Sequence, residues 1–462
     1  MAFRDTPSNV SAGSFLWSPC HGRKFASALK RIAQIAIEAD LYRGKKLIRG
    51  FGLRSILMAA LALVLAASPA AAKKKKSVKP NKALSASEIF FKEGLKRLKG
   101  KNVCFITNAA GLGRYFLYDA MEETDKYIHA KLEKHEIKIA HLFTPEHGLT
   151  GQEDDHGNTK VKAGQPETIY LTTVEKLQEK IADCEAIVFD LPDSGVRPYT
   201  YRTVLNRVMR AMDKAQTGQM LYLIDVPNPA SHLGPQGPVA QKSNFSYVGE
   251  EEIPFLPGFT HAELARKFIA DRKLKIKIHI QKMAGYNPKQ PHSQRDVVFY
   301  PPSPNLPHLR SNQCYWVSVF FEATSIEEGR VTKDPFCQIG HPDFANAELP
   351  RMGNVKFSAY PFYAWSGKHK GKLLPGYKLS IDEKKVEPAR AAYEFLLWQI
   401  KNGANDWMAK YLNEKQGLDA QTGSTTMRKS LLKKMTYDQF MVEEKKKIRA
   451  FTEAMQKYRL YK

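Results

Sequence analysis

Five short apolar runs, each closed by a polar turn, limit what this chain can fold into more than any other feature. They are NVCFITN (102–108), IKIAHLF (137–143), EAIVFDLP (185–192), QMLYLIDVPNP (219–229) and LKIKIHIQKM (274–283). Runs this long and this rich in Val, Ile, Leu and Phe read as strands buried on both faces. Helical patterns separate them: one through Lys134, then Val174 to Ile181, Val204 to Ala215 and Thr260 to Ala270. Alternation of this kind predicts an α/β fold with a doubly wound, mostly parallel sheet. Ahead of the first run, SASEIFFKEGLKRLKG predicts an amphipathic helix started by Ser85 or Ser87 and ended by Gly100.

From about residue 285 the pattern changes. YPPSPNLP (300–307) is too proline-rich for regular structure. The apolar half of CYWVSVFFEATSIEEGR, which begins at Cys314, suggests a buried strand. A strand around Tyr377 to Ile381, a helix around Ala389 to Ile400 and a basic helix running to Tyr461 complete the chain. The expected organisation is therefore an α/β domain over 85–285 and a smaller α+β domain over 286–462 that closes its cleft. The polar stretch 151–170 reads as a long loop over that cleft.

The N-terminus carries the parts of an export signal. Basic residues up to Arg54 precede an apolar run from Ile56 to Ala67, and Ala70-Ala71-Ala72 supplies a small-residue cleavage site. The run is shorter than the roughly 20 residues that span a bilayer, so a cleaved leader over 1–72 is expected rather than a membrane anchor, with a basic linker over 73–84. Export implies a periplasmic or secreted protein. The leader holds ten of the 71 Lys and Arg and three of the 47 Asp and Glu, so the remainder stays basic. That balance favours anionic partners, and no nucleic-acid motif accompanies it. Cys104, Cys184, Cys314 and Cys337 lack CxxC spacing. Cys104 and Cys184 read first as small buried hydrophobes; a disulfide is permitted outside the cytoplasm, but a chain this long does not need one.

Chemistry-bearing residues collect at the ends of the runs. Asn108 closes the first; Pro145-Glu146-His147-Gly148 follows the second; Asp193-Ser194-Gly195-Val196-Arg197 follows the third; Pro227-Asn228-Pro229 follows the fourth. In a parallel sheet these turns open on one edge and can share a cleft. Gly111-Leu112-Gly113 lacks the third glycine of a dinucleotide loop, His141, His147 and Asp154 to His156 are poorly spaced for a metal, and no GxSxG elbow occurs. Neither cofactor nor metal is expected. Carboxylates remain: Glu146 as a general acid, with Asp193, Glu322 or Glu328 as the second member of a glycosidase pair. Arg197 and Arg330 suit an anionic substituent, and Tyr199 and Tyr201 offer faces to a sugar ring.

Taken in order, Asn108 with Gly111, TPEHGL (144–149), VFDLPDSGVRPYTY (188–201), DVPNP (225–229), GPV (237–239), PPSPNLP (301–307), FEATSIEEGRVT (321–332), Pro335-Phe336, GSTTMRK and the closing FTEAMQKYRLY resemble the exo-β-N-acetylmuramidase family. The resemblance covers nearly everything after the linker. It implies a Rossmann-like domain with a smaller C-terminal domain and a site between them. It also implies a glycoside hydrolase that removes N-acetylmuramic acid from the non-reducing end of peptidoglycan fragments. The family's PEHG glutamate falls on Glu146. Ala323, Ser325 and Val331 depart from the FEGTN and GRGT that family members commonly carry, while Glu322, Glu328 and Arg330 persist. The expected site joins catalytic Glu146, Asp193 and Glu322 to Asn108, His147, Arg197, Tyr199, Tyr201, Asn228, Asn305, Glu328 and Arg330 as sugar-binding groups. Two rival readings are a muropeptide-binding protein that keeps the cleft without the chemistry, and an esterase or amidase acting on the same polymer.

Overall fold

All five runs form strands of one sheet. In the computed structural model they are β1 (Asn102–Thr107), β2 (Lys138–Thr144), β4 (Ala186–Asp190), β5 (Met220–Ile224) and β8 (Lys277–Gln281), joined at one edge by the short β3 (Glu167–Thr168). The order is β3-β2-β1-β4-β5-β8, every pair parallel. The order reverses between β1 and β4, as in a doubly wound nucleotide-binding sheet. The described residues are 85–108, 110–111, 132, 134–149, 166–295, 297–344, 348–403 and 406–462, all within the compact unit Pro80–Lys462. The expected leader and linker, most of the helical pattern before Lys134, and residues 151–165 of the expected loop lie outside them. The last part of that loop, read as irregular, contains β3.

Alternate side chains of the same strands feed two different cores. Cys104, Ile106, Phe143, Ile187, Phe189, Leu221 and Leu223 pack with α2 (Val174–Lys180), α3 (Tyr201–Ala215) and α4 (His261–Arg272). Val103, Phe105, Leu142, Ala186, Val188, Tyr222 and Ile224 face the other way, onto Ala86, Phe90, Leu95 and Leu98. A period of two with both phases apolar explains why these runs show no polar alternation. The N-terminal helix starts at Ser85, which forms a capping box with Glu88, and after α1 (Ala86–Ile89) it continues as a π turn and a 3-10 turn to Leu98. Gly111 lies flush on β4: a Cβ there would sit 2.0 Å from the Asp190 carbonyl oxygen, so glycine is required for close packing.

The first core runs on without a break into the C-terminal half. There β10 (Val355–Ala359), β13 (Gly376–Ile381) and β9 (Gln338–Gly340) form an antiparallel sheet packed with α5 (Leu309–Glu322) and α6 (Pro388–Asn402). The helices α7 (Trp407–Glu414), α8 (Gly417–Thr422), α9 (Thr425–Leu432) and α10 (Tyr437–Met455) follow. Two short hairpins, β6 (Gln236–Val239) with β7 (Pro254–Leu256) and β11 (Phe362–Tyr363) with β12 (Leu373–Leu374), were not foreseen.

Two expectations need correction. The strand expected from Cys314 onward is instead part of helix α5. His308 caps it by accepting from the Ser311 N–H, and Cys314 through Phe321 are all buried. A helix enclosed on every side has apolar residues at every phase, which imitates a buried strand. Cys104 and Cys184, read first as small buried hydrophobes, form a disulfide, and Cys314 and Cys337 form a second. Cys104–Cys184 ties β1 to the turn before β4, and Cys314–Cys337 ties α5 to the start of β9, with Cα atoms 5.7 and 5.0 Å apart. Pairs this far apart in sequence leave no spacing signature.

Candidate active site

The turn after β2 sets the site. Pro145 is followed by Glu146, then by His147 at φ 74° and Gly148 at φ 68°. Histidine tolerates the left-handed region better than most residues, and the pair of positive φ values turns Glu146 outward from the buried strand end. A hollow of about 160 Å³ lies in front of it. Glu146, His147, Tyr170, Tyr199 and Thr200 line one side; Tyr315, Glu322, Arg330 and Phe336 line the other. The sheet edge and the C-terminal half thus build one cavity.

Both carboxylates are held. The Thr200 hydroxyl donates to Glu146 Oε2 at 2.9 Å. Tyr170 also hydrogen-bonds Glu146, and its phenol is held protonated far above its usual range by burial first and then by the charge of Glu146. Glu322, at the last turn of α5, pairs with Arg330 through Oε1 and accepts from Gln421 Nε2 at 3.1 Å through Oε2. Its side chain keeps 21% of its surface exposed. Burial pushes its pKa up to about 7, against the lowering effect of Arg330; Glu328 and Glu146 raise it further and Lys368 lowers it. Glu328 is buried behind this pair, ion-paired with Lys368 and 4.0 Å from Arg330 Nε.

Of the remaining expected site residues, Tyr199 lines the hollow and the others lie outside its lining. Tyr201 is buried: its hydroxyl donates to the Pro302 carbonyl at 2.7 Å and accepts from Asn108 Nδ2 at 3.0 Å, pinning the proline segment. Tyr199 donates to the same carbonyl at 2.9 Å while also lining the hollow. Asn305 Oδ1 accepts from the Val331 N–H at 3.3 Å, fixing the loop that carries Arg330. Asn108 and Asn228 are buried and hold their own turns. Asp193 lines a separate hollow of about 30 Å³ with Ala110, Pro192, Pro227 and His292. Arg197 does not line the hollow. It is buried against Gly249 and Gly423, and it donates to the Gln421 carbonyl at 3.1 Å, so it steadies the residue that holds Glu322.

Sequence reasoning missed Tyr170, Thr200, Tyr315, Gln421 and Lys368. Thr200 stood inside the VRPYTYR motif between two tyrosines that were noticed. Gln421 and Lys368 had no local signal, because each reaches the site from an element far along the chain.

The family model described as "Exo-beta-N-acetylmuramidase NamZ, N-terminal" matches residues 103–310, and that for the C-terminal part matches 313–461. A Bacillus subtilis (strain 168) protein, "Peptidoglycan beta-N-acetylmuramidase NamZ", is 30% identical over 332 residues, covering 70% of this chain and 78% of that protein. Two crystal structures of DUF1343 family proteins from Bacteroides fragilis NCTC 9343 share the fold at 23% identity. They have TM-scores of 0.69 and 0.62, and each match covers 82% of this chain and 99% of the other. With both halves matched in order around a two-glutamate hollow, the chain belongs to the exo-β-N-acetylmuramidase NamZ family of glycosidases.

Proposed function

We propose that this protein is an exported hydrolase that releases N-acetylmuramic acid from the non-reducing end of peptidoglycan fragments. The observation that carries this reading is the pairing of Glu146 and Glu322 across one hollow, each with hydrogen-bond donors fixing its carboxylate. Glu146 protonates the glycosidic oxygen. Glu322, held by Arg330 and Gln421, activates water or stabilises the oxocarbenium-like transition state. Arg330, with a third of its side chain exposed, meets the lactyl carboxylate. The signal-like N-terminus supports export to the periplasm or beyond, as do two disulfides, which persist in oxidising compartments. No helix among the described residues is long and apolar enough to cross a membrane.

The raised pKa of Glu322 favours one alternative, in which the two glutamates exchange roles. Leaving-group dependence separates the two. An acid is needed for a sugar leaving group and much less for a nitrophenolate. The proposal expects free N-acetylmuramic acid from a muramyl disaccharide, and Glu146→Gln losing far more activity on the disaccharide than on the nitrophenyl muramide. If Glu322→Gln shows that asymmetry instead, the roles are exchanged. Absence of product from the wild-type enzyme with both substrates would sink the function.

A further inference from the structure

The small hairpin β11–β12 has the wrong residues outside. Its strands pair Phe362 with Leu374 and Tyr363 with Leu373. Phe362, Ala364 and Leu374 turn inward and form a small core of their own. By the two-residue period the opposite face should be polar, since it meets solvent. It carries instead Tyr363, Trp365 and Leu373, which are 41, 62 and 71% exposed. The Tyr363 and Trp365 rings lie 4.6 Å apart, a contiguous aromatic surface. Clustered exposed apolar side chains mark interaction sites more often than chance placement.

Along the sequence the hairpin and its flanks carry charge of one sign, although Lys368 and Lys378 are engaged in ion pairs with Glu328 and Asp334. Residues 355–380 contain five lysines and His369 and no Asp or Glu, and Lys370 and Lys372 are exposed beside the hairpin. The loop between the two strands also leans on the active site. Ser366 Oγ donates to the Arg330 carbonyl at 3.5 Å, the His369 ring contacts the Ser325 carbonyl at 2.8 Å, and Lys368 pairs with Glu328.

We infer that the outer face of this hairpin is a docking surface for a carboxylate-bearing glycan strand, which it holds beside the catalytic hollow. The inference rests on the function proposed above for the nature of the polymer. Pyranose rings present faces of C–H bonds that suit aromatic rings, whose faces are electron-rich. Lysines beside the rings meet the carboxylates of lactyl groups and stem peptides. An anionic membrane would also attract aromatic and basic side chains. The glycan is favoured because the hairpin loop contacts, through Ser366, Lys368 and His369, the segment whose Arg330 lines the hollow.

The test is co-sedimentation of the full mature protein with purified peptidoglycan sacculi, using Glu146→Gln so that the polymer is not consumed. Tyr363→Ala/Trp365→Ala in that background is expected to weaken binding by roughly tenfold. Lys370→Gln/Lys372→Gln is expected to weaken it less, and more so at low salt. In the active enzyme, both pairs of substitutions should leave turnover of a soluble nitrophenyl muramide within about twofold, since neither touches the hollow. Unchanged sedimentation overturns the inference. So does a parallel fall in small-substrate turnover, which would mean a structural role, or binding lost to phosphatidylglycerol vesicles but kept to sacculi. Failure of the wild-type enzyme to cleave the muramide strikes the proposed function alone, because sedimentation reads the hairpin independently.

Discussion

The two hollows at the carboxyl edge of the sheet are made from similar turns and have different contents. One contains Glu146 and, from the other half of the chain, Glu322. The other contains Asp193, beside the turns of Asn108 and Asn228. The shorter side chains bend back: Asn108 accepts from the Ala110 N–H at 3.1 Å, Asp193 from Gly195 at 2.8 Å and Asn228 from Ala230 at 2.8 Å. Each caps the backbone two residues on, the usual habit of Asn and Asp in turns. A glutamate is one methylene longer and fits that ring less well, so Glu146 accepts from Thr200 on its own side of the hollow instead. Strand-end position brings polar residues to one edge; side-chain length decides which of them face a ligand.

This contrast can be broken by substitution. Glu322→Gln should lower kcat on the muramyl disaccharide by about 10²–10⁴-fold, the usual worth of a positioned acid or base, with the melting temperature little changed. Asn228→Ala should do the opposite. It removes the bonds to Ala230 N–H and the Phe259 carbonyl, costing about 1–3 kcal/mol in denaturant unfolding while kcat/KM stays within about twofold. Arg330→Met sharpens the comparison through pH. If Glu322 acts ionised, activity rises as pH climbs through about 7. Loss of the neighbouring cation disfavours the charged form, so this limb should move upward by about 1–3 pH units in kcat/KM profiles. A limb that stays in place would disconnect Glu322 from the reaction. The smallest effect concerns Val331, a β-branched residue held at φ 61° next to Arg330. Val331→Gly should relieve about 1 kcal/mol of strain and raise the melting temperature slightly.

Much of the fold was legible because parallel strands buried on both faces leave continuous apolar runs, and the polar turns after them are short. The same logic failed at α5, whose enclosure erased the helical period, and at the disulfides, whose partners meet only through the sheet and the α5–β9 contact. Within the site, Glu146, His147, Tyr199, Glu322 and Arg330 stood in recognisable motifs and line the hollow. Gln421 and Lys368 were invisible in the sequence because their reach depends on how α8 and the β11–β12 loop pack. Arg197 looked like an anion grip, and its burial against Gly423 depends on contacts equally remote in sequence.

The central claim is that the hollow of Glu146, and not that of Asp193, is where the glycosidic bond breaks. The most direct measurement is kcat for release of N-acetylmuramic acid from a muramyl disaccharide by Glu146→Gln and Asp193→Asn side by side, each confirmed folded by circular dichroism. The expected result is a loss of about 10²–10⁴-fold for the first and less than about tenfold for the second. Equal losses, or a larger one at Asp193, would contradict it.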